Sequence, residues 1–133
     1  MNTAVRRLSI VVNIGVFINI VGMSVPFIFA PQWVYDHIGL PGGGGSPVWM
    51  RQAGLLLFYA SLLYIPGGRD PVRYRWNAIF AVVVRMTIGL YWLFLVFVEG
   101  RTRTFLAIGA FDCTYAIINA IFLRLALKDV QRT

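Results

Sequence analysis

Two charged residues inside long apolar runs are the residues of this chain best placed to do chemistry. Arg85 lies within AIFAVVVRMTIGLYWLFLVFV, and Asp112 lies within the apolar run that follows Arg103. About 20 apolar residues are enough to cross a bilayer as a helix. A charged side chain at that depth costs roughly 2.5–3.5 kcal/mol on insertion scales, so it needs a partner or water. We therefore expect Arg85 and Asp112 to form an ion pair inside a membrane domain.

Estimated depths place these two charges close together. Counted from Trp76 and Thr104 at about 1.5 Å per residue, Arg85 and Asp112 lie roughly 13 and 12 Å from opposite sides of the hydrocarbon core. In a core of about 30 Å they are offset by roughly 5 Å, within reach of an arginine side chain. Further polar side chains fall on the same helix face or at a similar depth. The predicted polar cluster consists of Arg51, Arg85, Asp112, Tyr115, Asn119, Asn19 and Tyr59.

The pair has two interpretations that the residues leave open. It is either an internal ion pair that fixes helix register, or the base of a polar pocket that opens to the outer leaflet. In such a pocket an arginine would bind a carbonyl or anionic oxygen of a quinone or a lipid headgroup. We expect arginines nearby to make Asp112 a weak base, which argues against general-base catalysis.

The cofactor classes that this chain can hold are narrow. It has one histidine, His37, and one cysteine, Cys113. Haem held by two histidines, a histidine-cluster oxygenase and a cysteine-based zinc site are therefore excluded for this chain alone. We predict no metal and no cofactor, and interpret His37, beside Asp36, as polar surface.

The composition is that of a membrane protein. Of its 133 residues, 59% are hydrophobic, against about 45–50% in soluble domains. The net charge of +7 arises from residues at the ends of apolar runs, and no nucleic-acid motif accompanies it, so we predict no nucleic-acid partner. Residues 1–133 are interpreted as a single integral membrane domain.

Four membrane-spanning helices are predicted, at about residues 5–30, 47–65, 71–98 and 102–127, giving an all-α four-helix bundle. Asn13 and Asn19 are expected to hydrogen-bond between helices, and Pro26 to kink the first one. Gly15 and Gly22 are expected to form one smooth seam for a neighbouring helix.

Capping and turn residues set the predicted boundaries. Ser46 and Pro47 begin the second helix, and the Pro66-Gly67-Gly68 turn ends it. Asp70 and Pro71 then begin the third. Residues 31–46 form an outer loop, with a short interfacial helix or turn from Trp33 to Leu40 and a hinge at Gly42 to Gly45.

The distribution of basic residues predicts the orientation. One side of the membrane carries most of them: Arg6, Arg7, Arg69, Arg73, Arg75, Arg124, Lys128 and Arg132. By the positive-inside rule both termini are cytoplasmic, and we expect a multi-pass protein of the bacterial inner membrane.

Several of these features together resemble small four-helix bacterial membrane proteins of the DoxX-like type. They are the glycine-bearing first helix, Arg51-Gln52-Ala53-Gly54, Arg69-Asp70-Pro71, mid-helix Arg85, and Phe111-Asp112. The resemblance spans most of the chain as a pattern of charge placement. DoxX-like proteins are associated with quinone-linked redox complexes, which implies a small subunit attached to a larger membrane enzyme. The resemblance does not assign a catalytic role to any residue of this chain.

Three functions are consistent with these observations. The first is an accessory or structural subunit, without catalysis of its own, of a larger redox or energy-transducing membrane complex. The second is a small lipid- or quinone-binding protein or enzyme that uses an Arg85–Asp112 pocket. The third is an oligomeric small transporter, which the absence of a membrane glutamate in the first helix disfavours. Membrane lipids and other membrane subunits are the expected partners.

Overall fold

The computed structural model describes residues 3–38, 47–101 and 103–130, and within these ranges the chain forms helices and turns without strands. The helices are α1 (Thr3–Phe29), α2 (Pro31–Ile38), α3 (Pro47–Arg69), α4 (Arg75–Phe97) and α5 (Thr104–Val130). All but α2 are long and apolar enough to cross a membrane. The prediction of an all-helical chain with four membrane-length helices is confirmed for the part of the chain described.

The four long helices pack as a ring in sequence order. The pairs α1–α3, α3–α4, α4–α5 and α5–α1 are in contact. Neighbouring helices in the ring are antiparallel. On α1 and α3, for example, Asn19 contacts Ser61, whereas Ser24, further along α1, contacts Gly54, which comes before Ser61 on α3. The start of α1 and the end of α5 therefore lie at one end of the bundle, here called the terminal end.

Apolar side chains fill the half of the bundle nearest the terminal end. The core cluster draws on all four long helices and comprises Val5, Leu8, Val12, Val16, Tyr64, Ala78, Ala81, Leu123 and Ala126. Most other large apolar side chains of these helices point outward, as they do in a protein solvated by lipid.

Helix α1 contains one turn of π-helix, Ile20–Ser24, just before Pro26. The N–H of Val25 donates to the carbonyl of Ile20, five residues back. Pro26 has no N–H for the Gly22 carbonyl, so the regular ladder fails here. In a regular α-helix Asn19 and Ser24 would point about 140° apart. The wider turn lets both hydrogen-bond to α3.

The predicted end of the second helix at Pro66 is wrong. Helix α3 continues through Pro66, Gly67 and Gly68 to Arg69. The two glycines serve close packing instead of a turn, since Gly67 lies against the backbone of Ala78 and Gly68 against the side chain of Val12. Tertiary contact therefore outweighs the local tendency of this sequence to break a helix.

The predicted start at Pro71 needs a similar correction. The side chain of Asp70 accepts hydrogen bonds from the N–H groups of Val72 and Arg73, as an N-cap does. The turn that it caps ends at Tyr74, whose φ and ψ of −109° and 43° are not helical. Helix α4 begins only at Arg75.

The short helix α2 follows Ala30 in the segment interpreted as an outer loop. Val34 is buried, whereas Trp33 and His37 are exposed and stack on each other with ring centroids 4.6 Å apart. The Nδ1 atom of His37 lies 2.9 Å from the Trp33 carbonyl oxygen. Four sequence predictions fall outside the described residues: the Ser46 cap, the Gly42 to Gly45 hinge, a helix start at residue 102 and the position of Arg132.

Replacing Gly67 by alanine should destabilise the bundle. An added Cβ would lie 2.7 Å from the Cα of Ala78 and 2.8 Å from the carbonyl carbon of Asn77, so α3 and α4 would have to separate. Such overpacking costs about 1–3 kcal/mol. Thermal unfolding of the purified protein in detergent should show a lower Tm for Gly67→Ala. Gly22→Ala is the matched control, because no atom lies within 4 Å of its added Cβ. Equal Tm values for the two variants would contradict the close approach of α3 to α4 at Gly67.

Candidate functional site

An ion pair joins α4 to α5 inside the bundle. The Nη1 atom of Arg85 lies 3.3 Å from Oδ1 of Asp112. Their side chains are only 4% and 15% exposed, respectively. The two helices reach this distance because small residues line their contact: an added Cβ on Gly89 would lie 2.8 Å from the backbone nitrogen of Cys113. Each charge therefore has its counter-charge inside the helix bundle, where an unpaired charge would be costly.

Two tyrosine rings enclose the guanidinium of Arg85. Its central carbon lies 4.7 Å from the ring centroid of Tyr115 and 5.8 Å from that of Tyr64, within the range of cation–π attraction. The hydroxyl of Tyr115 donates to the carbonyl of Val11 on α1. An added Cβ on Gly15 would lie 2.5 Å from Cε1 of Tyr115 and 2.8 Å from Nη2 of Arg85. Only glycine at position 15 leaves room for this arrangement.

A cavity of about 480 Å³ opens beside the ion pair. It lies between all four long helices, in the half of the bundle away from the terminal end. Its polar lining residues include Asn19, Arg85 and Asp112. The walls are apolar and largely aromatic or branched, and they include Ile18, Phe27, Leu57, Ile88, Trp92 and Phe111. The volume lies within the range of about 300–1,000 Å³ typical of small-molecule sites.

Polar contacts between α1 and α3 hold one wall of this cavity. Nδ2 of Asn19 lies 3.4 Å from Oγ of Ser61, whose hydroxyl donates to the Leu57 carbonyl. The hydroxyl of Ser24 donates to the Gly54 carbonyl at 2.7 Å. The interhelical hydrogen bond predicted for Asn19 is thus present. Asn13 instead bonds within its own helix, to the carbonyl and hydroxyl of Ser9.

Two residues of the predicted cluster lie elsewhere. Tyr59 is 62% exposed, and Arg51 is also exposed. The buried face of α3 carries Gly54, and Tyr59 comes five residues later, which turns it about 140° round the helix. The structure therefore removes Arg51 and Tyr59 from the candidate site.

The remaining predicted residues are buried or half-buried, but they do not all reach the cavity. Asn19 lines it, whereas Tyr115 packs against Arg85 behind it. Asn119 lies about two turns after Asp112 along α5, towards the terminal end, and does not line the cavity. Its Oδ1 atom is buried and accepts no hydrogen bond from the described residues.

Sequence reasoning missed Tyr64 as a site residue. It is buried, lines the cavity and packs against the guanidinium of Arg85. Ser61 and Gly68 come three residues before it and four after, so the three residues share one helix face. The small residues that mark this face as a helix contact would have identified Tyr64. Trp92, seven residues after Arg85 and on the same helix face, also lines the cavity.

No three histidine, cysteine, aspartate or glutamate side chains among the described residues cluster closely enough to share a metal ion. Comparison of the chain with protein-family models, with curated proteins and with solved structures finds no match. The site is therefore interpreted from its own geometry, and the resemblance to DoxX-like proteins stays a prediction.

Removing one member of the ion pair should cost much more stability than removing both. Asp112→Asn leaves the buried guanidinium of Arg85 without its counter-charge, which typically costs about 3–5 kcal/mol. The double variant Arg85→Gln/Asp112→Asn should recover a large part of that loss. Denaturant unfolding of the four proteins of this cycle, in one detergent, measures the coupling.

The matched control is the exposed pair of Arg101 and Glu99, whose side chains are 43% and 42% exposed at an N–O distance of 3.4 Å. Glu99→Gln should change the unfolding free energy by no more than about 1 kcal/mol. If Asp112→Asn were as mild as Glu99→Gln, the buried pair would not hold α4 to α5.

Proposed function

We propose that this protein binds an amphipathic ligand of the quinone or lipid class within the membrane, with the ligand's polar head at Arg85. The observation that carries the proposal is the mostly apolar cavity of about 480 Å³ with a buried arginine–aspartate pair in its wall. An apolar ligand body fits the walls, and an oxygen on its head fits the guanidinium.

The donor groups at the site favour a neutral carbonyl head. A guanidinium carries five N–H donors, and hydrogen-bonding to Asp112 uses Nη1 of Arg85. The other donors are available to an acceptor oxygen at the cavity. Because Asp112 already balances the charge of Arg85, a neutral quinone carbonyl suits the site better than a doubly charged phosphate.

The shape of the cavity favours binding over conduction. The core cluster packs the terminal half of the bundle with apolar side chains, so the cavity ends at Tyr64 and Arg85. The positive-inside rule assigns the terminal end to the cytoplasm. We therefore infer that the cavity lies in the outer half of a bacterial inner membrane.

A second candidate function, an accessory subunit of a larger membrane complex, is favoured by Asn13. This residue is exposed on the outer surface of α1, and among the described residues its amide bonds only to Ser9 of the same helix. A polar amide facing lipid is costly, whereas the same group stabilises contacts between membrane helices. This agrees with the role implied by the DoxX-like resemblance, and a subunit that carries quinone to a redox enzyme would combine both functions.

Filling the cavity should abolish ligand binding without unfolding the protein. Ala107 lines the cavity, so Ala107→Trp should occupy the space of the ligand body. Native mass spectrometry of the gently solubilised protein should detect a small amphipathic molecule on the wild type and none on this variant. A ubiquinone analogue added to delipidated protein should bind with the same difference.

Ala110→Trp is the control for that experiment. Ala110 is exposed on the same helix and does not line the cavity, so its replacement adds the same bulk on the lipid-facing surface. It should leave binding unchanged. Equal retention by the wild type and both variants would contradict a ligand in this cavity.

The accessory-subunit candidate predicts that Asn13→Leu releases a partner. Leucine keeps the helix intact and removes the amide that a neighbouring membrane helix would bond. Co-purification from native membranes in mild detergent should give a stoichiometric partner subunit with the wild type, lost with Asn13→Leu. The control Phe17→Leu changes an exposed apolar residue one turn further along α1 and should keep the partner. A wild-type chain that purifies alone would contradict this candidate.

A further inference from the structure

A second groove lies at the terminal end of the bundle, on the outer surface between α4 and α5. We propose that it binds an anionic phospholipid, whose phosphate lies between Arg75 and Arg124 and whose acyl chain follows the groove into the membrane. The groove is separate from the central cavity, so this inference is independent of the proposed function.

Helix register brings the two arginines to one level. The helices α4 and α5 are antiparallel, with Arg85 paired to Asp112. Arg75 lies ten residues before Arg85 on α4, and Arg124 lies twelve residues after Asp112 on α5. Because this difference of two residues is less than one helical turn, the two arginines lie at a similar level in the bundle. Both arginines line the same groove, which has a volume of about 320 Å³.

The rest of the groove is apolar and runs towards the membrane centre. Its walls are Ile79, Val82, Val83, Ala120, Leu123 and Leu127. Ile79 comes one turn after Arg75, and Ala120 comes one turn before Arg124, so both arginines lie nearer the membrane surface than these two apolar residues. Leu127 continues the groove beyond Arg124. A charge at the edge with an apolar track beneath it matches a phospholipid, whose phosphate sits above its acyl chains.

Both arginines are available for a ligand. Among the described residues, ion pairs join Arg85 to Asp112 and Arg101 to Glu99 and no others, so neither Arg75 nor Arg124 is paired with a carboxylate. Asp129, the acidic residue nearest to Arg124 along α5, also forms no ion pair with it. Both side chains are exposed at the surface of the bundle. Two such guanidinium groups bind a phosphate with charge-assisted hydrogen bonds.

The surroundings specify an anionic lipid in preference to a free phosphate or a zwitterionic lipid. A free phosphate ion gains nothing from the apolar walls, whereas an acyl chain fills them. A phosphatidylcholine headgroup would bring its own ammonium charge to two arginines. Basic sites between membrane helices on the cytoplasmic side recognise anionic headgroups for this reason.

Lipid binding to the purified protein tests the proposal. Native mass spectrometry in mixed micelles of phosphatidylglycerol and phosphatidylcholine should show preferential retention of phosphatidylglycerol by the wild type. Arg75→Gln/Arg124→Gln should reduce this preference by about 30-fold. Ala120→Phe keeps both charges but fills the groove, and it should reduce phosphatidylglycerol retention as well. Unchanged thermal unfolding would show that both variants stay folded.

Arg6→Gln/Arg7→Gln is the matched control. It removes the same charge from the same end of the bundle, at exposed residues outside the groove, and should keep the preference. An equal loss in both double variants would overturn the proposal, because general electrostatic attraction would then account for retention. Full retention by Ala120→Phe, or displacement of phosphatidylglycerol by inorganic phosphate, would also overturn it.

Discussion

The charge of Arg85 is the constraint on which the rest of this structure depends. An arginine in the middle of a membrane helix must be neutralised and its N–H groups hydrogen-bonded, or the helix is costly to insert. Asp112 supplies the opposite charge, and the rings of Tyr64 and Tyr115 supply polarizable faces. These groups come from α3, α4 and α5, and Gly15 of α1 makes room for them. Solvating one side chain thus involves all four long helices.

Close packing in this bundle comes from small residues, because lipid gives apolar side chains no reason to leave it for one another. Gly89 and Gly109 face each other across α4 and α5, where an added Cβ on Gly109 would lie 2.9 Å from the Gly89 carbonyl oxygen. Gly67 likewise allows α3 to pack closely against the backbone of α4 at Ala78. The glycine-rich end of α3 therefore positions helices, and its resemblance to a chain-breaking turn is misleading.

The sequence was sufficient for the number and approximate extent of the long helices, because both follow from the length of apolar runs. It also pointed to Asp112 as the partner of Arg85, because few acidic residues lie inside those runs. The rotation of α3 was missed, since that helix is apolar around most of its circumference and only its small residues mark the buried face. That is why Arg51 and Tyr59 were placed in the cluster and Tyr64 was not. The π turn of α1 was also missed: Pro26 marks an irregularity, but only the contacts of Asn19 and Ser24 with α3 define its form.

The two halves of the bundle differ because different interactions hold them. Near the terminal end, buried apolar side chains from all four long helices pack into one core cluster. In the other half, α1 is held to α3 by two side-chain hydrogen bonds on either side of its π turn, and a hydrogen bond fixes position without filling volume. The space between the helices in this half is the cavity, and Arg85 lies at the boundary between the two halves of the bundle. A group that enters the cavity therefore meets the guanidinium at its inner end. Under the proposed function the ion pair would be a structural support and would also contact the ligand head, so the two interpretations of the pair are compatible.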